Sequence, residues 1–149
     1  DEGEEKKKRF RSSVVKRNRT AYNEVFDVLE KRDSIPLPRI QALVKNIPTN
    51  KTHVFEYPMK WDLYDRFKAG VEPTVAQFVS TKVSALMGAE EQSIVDYVME
   101  KLSEHMRPSE MFDDLHAVFD VDTEIFVLKL YRLVIFELEK LKLAQKMTR

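Results

Sequence analysis

The chain has 149 residues, with 25 Lys and Arg against 25 Asp and Glu, three Gly, six Pro and no Cys. That length suits one domain burying roughly 70% of its unfolded surface, and so few glycines argue against tight hairpins or Gly-lined phosphate loops. Without Cys there is no disulfide, no thiolate zinc site and no Cys nucleophile, which fits a reducing compartment.

The chain opens on neither Met nor an apolar leader, as expected of a fragment cut from a longer chain. Asp1, Glu2, Glu4 and Glu5 form an acidic tip. Eight cations follow without a carboxylate among them: Lys6, Lys7, Lys8, Arg9, Arg11, Lys16, Arg17 and Arg19. Residues 1–19 are too polar to fold alone and read as a flexible basic arm. Tyr22, Val25, Phe26 and Leu29 then repeat at helical spacing, with Thr20 as the expected N-cap. Ser34-Ile35-Pro36-Leu37-Pro38 breaks that helix and starts another, whose stripe is Ile40, Leu43, Val44 and Ile47. Pro48 ends it, and only a short helical turn is expected between Thr49 and Tyr57 before Pro58.

A cleaner helical series follows. Met59 to Phe67 presents Trp61, Tyr64 and Phe67. Pro73 opens a helix to Met87 carrying Val75, Phe78, Val79, Val83, Leu86 and Met87, and Gly88 stands where a C′ glycine belongs. Glu91 to Leu102 carries Ile94, Tyr97 and Val98. Pro108 opens another helix, with Met111, Phe112, Leu115 and Val118. The last helix starts near Asp122, with Asp120 or Asp122 as cap and Glu124 in its first turn. From Ile125 to Phe136 it holds only two charges, Lys129 and Arg132, so other helices must enclose it. It is too short for a membrane span, which needs about 20 apolar residues. The reading is all-α, divided into an arm at 1–19, two docking amphipathic helices at 20–50, and a helical bundle at 51–149.

Little here suggests catalysis or a cofactor. His53, His105 and His116 are scattered and lack metal-ligand spacing. Asp120 to Glu124 lacks the mid-loop Gly and terminal Glu of a calcium loop. Asp113 and Asp114 point about 100° apart on a helix and cannot converge on one atom. Trp61, Phe78 and Tyr131 fall on core stripes. The exception is the run from Lys6 to Arg19. Eight closely spaced cations with Phe10 among them suit a phosphate backbone, and a nuclear import signal is compatible. Charge reverses downstream: eleven carboxylates face Lys101 and Arg107 between Glu90 and Glu124, and cations dominate again from Lys129 to Arg149.

Several stretches resemble the PWI domain family. Ile47-Pro48-Thr49, Phe55, Tyr57-Pro58 and Trp61 look like its lead-in, and Gly88-Ala89-Glu90-Glu91 with Val95-Asp96-Tyr97-Val98 like its second core helix. Phe126 to Lys140 resembles its long final helix. The similarity runs from about Val44 to Leu143. One departure stands out, since the naming Pro-Trp-Ile triplet falls on Gln77-Phe78-Val79, with Pro73-Thr74-Val75 as a rival placement that lacks an aromatic. The resemblance implies a four-helix bundle of nuclear pre-mRNA splicing proteins, with extra N-terminal helices here. It implies no enzyme and no cofactor, a monomer, no membrane partner, and binding of RNA and single- or double-stranded DNA helped by a basic flank. The expected contacts are Lys6, Lys7, Lys8, Arg9, Arg11, Lys16, Arg17 and Arg19, with a secondary patch of Arg132, Lys140, Lys142 and Lys146. The alternative is a spliceosomal protein-interaction module using Glu110, Asp113, Asp114, Asp120 and Asp122.

Overall fold

A computed structural model describes residues 2–149, apart from the side chains of residues 7–22. Among the described residues the chain forms α1 (Glu2–Asp33), α2 (Leu37–Lys45), α3 (Lys51–Phe55), α4 (Trp61–Arg66), α5 (Lys68–Met87), α6 (Gln92–Ser103) and α7 (Pro108–Phe119). A 3-10 turn at Asp120–Asp122 then leads into α8 (Thr123–Met147). No strand occurs among the described residues, and no helix is long and apolar enough to cross a membrane.

The core is a bundle of α5, α6, α7 and α8, in which α8 packs against α5 and α7, and α6 against α5. Sequence spacing explains it directly. Val71, Val75, Val79 and Val83 recur every fourth residue of α5 and are fully buried. Each such side chain stabilises the fold by about 1.5–3 kcal/mol through burial. Val95, Val98 and Leu102 do the same on α6, and Met111, Leu115 and Phe119 on α7. As its near-continuous apolar run predicts, α8 is the central helix, burying Phe126, Val127, Leu130, Tyr131, Val134, Ile135, Leu138 and Leu141. In the Gln77-Phe78-Val79 triplet, Val79 is buried and Phe78 packs half-buried against the same core, so the departure leaves the bundle intact. Gly88 ends α5 in the left-handed region at φ 76°.

Three expectations are corrected. The helix expected from Thr20 is continuous from Glu2, so the basic run is carried on helical backbone. Glu2, Glu4 and Glu5 occupy its first turn, where the helix dipole favours negative charge, and no Pro interrupts the segment. Thr20 has a capping side chain, but nothing before it breaks the helix. Second, Pro73 does not open α5 but lies inside it. Its missing N–H leaves the Ala69 carbonyl without a helical donor, and Ala69 and Pro73 are both exposed, so solvent can serve that carbonyl. Third, neither Asp120 nor Asp122 caps α8 through its side chain. The Thr123 hydroxyl instead donates to the Asp120 carbonyl at 2.7 Å.

The N-terminal helices pack on the bundle through α8, which touches α1, α2 and α3. On α1 the docking residues are Val28, buried, with Val25 and Leu29 half-buried. Arg32 donates from Nη1 to the Gly70 carbonyl at 2.8 Å. Glycine leaves room for this approach: a Cβ at Gly70 would lie 2.4 Å from Leu29 Cδ2, so the Leu29 side chain would have to shift. No residue of α2 is buried: Leu43 lies against the core while Val44 is exposed. Asn50 caps α3, its Oδ1 accepting the His53 backbone N–H at 2.9 Å.

Candidate nucleic-acid interface

Most of the expected flank lies outside the described residues: this holds for the side chains of Lys7, Lys8, Arg9, Arg11, Lys16, Arg17 and Arg19. Lys6 is exposed. Along α1 these cations precede the docking turn, and Lys6 stands about 40 Å along the helix axis from Asp33 at 1.5 Å per residue.

The expected patch on α8 does not exist as one surface. Arg132 is half-buried, and its Nε–H donates to the Pro48 carbonyl at 3.0 Å, tying α8 to the segment after α2. Lys140 points elsewhere. Its ammonium lies 2.6 Å from Oε2 of the buried Glu137 and 4.5 Å from the Phe136 ring centroid. A carboxylate and an aromatic face thus compete with any phosphate for this ammonium. Both residues therefore serve the fold.

Lys142 and Lys146 remain, one turn apart on α8. They line a groove of about 290 Å³ between α2 and α8, facing Arg39 and Asn46 across an apolar floor of Leu43 and Leu143. Glu139, also at this groove, is already engaged: its Oε1 accepts the Tyr57 hydroxyl at 2.7 Å and the Lys60 ammonium at 3.0 Å. Burial alone would raise the Glu139 carboxyl, but these hydrogen bonds and the charges of Lys60 and Lys142 hold it below the usual carboxylate range. Burial and the carboxylate together push the Tyr57 hydroxyl up to about 12. Sequence reading missed Arg39 and Asn46. Both sit near the ends of α2, and only the packing of α2 on α8 brings them to Lys142.

The acidic residues also separate. Glu110, Asp113 and Asp114 are exposed and share one face of α7 at helical spacing, while Asp120 and Asp122 lie beyond its end in the 3-10 turn. Asp114 is occupied, accepting a hydrogen bond from the Tyr97 hydroxyl of α6. Near this side the His105 ring stacks on Trp61, centroids 4.9 Å apart, and its Nε2 lies 2.8 Å from Asp65 Oδ1. His105 has φ 65°, which turns the chain between α6 and α7. This clasp of α4 to the α6–α7 turn was not legible, since 40 residues separate its partners.

Comparison with known proteins agrees with this architecture. The family model described as PWI domain matches residues 73–141, which run from the middle of the first turns of α5 to the last third of α8. The chain is 28% identical over 158 aligned positions, 87% of its length, to RNA-binding protein 25 of Mus musculus. It is 31% identical over 102 positions, 68% of its length, to RNA-binding motif protein 25 of Arabidopsis thaliana. A third relative is the U1 snRNP-associated protein usp107 of Schizosaccharomyces pombe, 23% identical over 106 positions and 70% of the chain. The chain spans 19%, 11% and 15% of these three proteins respectively.

Proposed function

Residues 73–141 of the chain are a PWI domain, and we propose that the chain is a non-enzymatic, nucleic-acid-binding unit of a nuclear pre-mRNA splicing protein. Its ligand is RNA, and single- or double-stranded DNA is bound by the same means, because the groups it offers are cations that address phosphates and carry no base code. The names of two relatives as RNA-binding proteins support this reading, and that of the third, a U1 snRNP-associated protein, supports a place among ribonucleoprotein particles.

The observation that carries the proposal is the joining of the cationic run to the bundle. Eight cations with no acid among them in the sequence stand on the same helix whose last turns dock through Val28 and Arg32. A charged run attached in this way adds a phosphate-binding surface to the bundle at a set distance. Counterion release then supplies affinity with little sequence preference.

A salt titration of binding to a labelled oligouridylate tests this. With about five phosphates neutralised, log K against log[salt] should fall with a slope of roughly −3.5 for a single strand. Replacing all eight flank cations by Gln, which keeps helix propensity, should remove most of the affinity and leave the helical circular dichroism unchanged. Undiminished binding by that variant would exclude the flank.

A further inference from the structure

The groove between α2 and α8 has an electrostatic imbalance that the flank does not share. Arg39, Lys142 and Lys146 converge on it, and none of the three has an ion-pair partner among the described residues. Glu139 is the carboxylate present; it is bonded to Lys60 and the Tyr57 hydroxyl, and the charge of Lys142 acts on it as well. Three like charges around a space of about 290 Å³ repel one another until an anion enters. The groove thus carries three cations against one carboxylate.

From this geometry we infer that the α2–α8 groove is a second nucleic-acid contact, holding the backbone of a single strand. The inference rests on the nucleic-acid reading of the chain and says where on the bundle the strand lies. Lys142 and Lys146 are about 6 Å apart along the helix axis, close to the separation of neighbouring phosphates in an extended strand. Arg39 faces them from α2, and its planar guanidinium can take a phosphate in a bidentate grip that an ammonium cannot. Leu43 and Leu143 offer an apolar floor to sugar and base edges, and the Asn46 amide supplies both donor and acceptor at the rim. A single strand suits the groove because its sugars and base edges are free to meet the apolar floor, whereas a duplex keeps its bases stacked and paired inside.

The groove variant is Arg39→Glu combined with Lys146→Gln in the full chain. Arg39 is the third residue of α2, so a glutamate there complements the helix dipole and preserves the helix. Binding of labelled oligouridylate is measured across a salt series, beside the Gln-substituted flank variant. The groove variant should bind more weakly, with a slope shallower by about 0.7 per lost phosphate contact, so about 1.4 for the pair. In the unsubstituted chain, titration with the same oligonucleotide should move the backbone amide signals of Ala42, Asn46 and Leu143.

Unchanged affinity and slope in the groove variant, with binding lost in the flank variant, would overturn the groove while sparing the broader reading. Absence of oligouridylate binding by the unsubstituted chain would overturn both. Should the groove variant keep its RNA affinity but lose binding to polyglutamate, the slot would be a carboxylate site and the inference wrong.

Discussion

One carboxylate oxygen of Glu139 accepts from both Tyr57 and Lys60, and the three residues come from α8 and the two ends of the Tyr57-Pro58-Met59-Lys60 link. The hydroxyl of Tyr57 titrates near 12 in the folded chain instead of 10, so its contribution to stability is full below pH 10 and is lost as pH rises towards 12. Glu139 works in the opposite sense. Its folded value is depressed, so its contribution is present above the ordinary carboxylate range and lost as pH falls through the folded value. Tyr57→Phe should therefore cost about 1 kcal/mol at neutral pH. It should also make both the acid and the alkaline flanks of a stability–pH curve, read by urea denaturation, less steep. Equal steepness in the two proteins would show that this contact does not titrate with folding. The cations Arg132 and Lys140 carry a different lesson. Sequence counts Arg132 as free because its partner is a backbone carbonyl 84 residues away, which leaves no mark in the sequence, whereas Glu137 stands three residues before Lys140 at a spacing that a helix makes legible.

The helices of the bundle were legible because their apolar residues repeat at the period of the helix. Val75, Val79 and Val83, then Met111 and Leu115, are expected and found in the core. Boundaries were less legible. Thr20 and Pro73 both have the chemistry of helix starts, and both lie inside helices, since capping is a weak preference that a continuous run of helix formers overrides. The docking of α1 was hidden for a related reason: it uses the room left by an absence, the missing side chain of Gly70. Gly70→Ala would place a Cβ 2.4 Å from Leu29 Cδ2 and 3.1 Å from Arg32 Nη1. We expect this change to loosen the docking of α1 as Leu29 and Arg32 shift, while the gain of about 1 kcal/mol in helix propensity within α5 offsets part of the loss in global stability. Amide exchange in Val25 to Arg32 should accelerate while the bundle core stays protected. Uniform loss of protection would instead make α1 part of the same cooperative unit as α5 to α8.

Across the whole molecule, the balance of 25 against 25 charges is a sum of separate regions. Their signs were legible in the sequence; their surfaces were not. The expected acidic face divides between α7 and the turn beyond it, while the cationic face that does form needs Arg39 from a helix with no buried residue. Packing decided this, because α2 meets α8 through a contact between segments about 100 positions apart in the chain. The unbroken course of α1 has one more consequence, which concerns angle. A helix fixed at Arg32 sets the rotation of its backbone about the axis, as a keyed shaft does. Two alanines inserted between Tyr22 and Asn23 would turn Lys6 to Arg19 by about 200°, while four would bring them back to within about 40°. Affinity for a single strand should drop with the first insertion and recover with the second. If both insertions behave alike, the run is a tether whose cations have reach without direction.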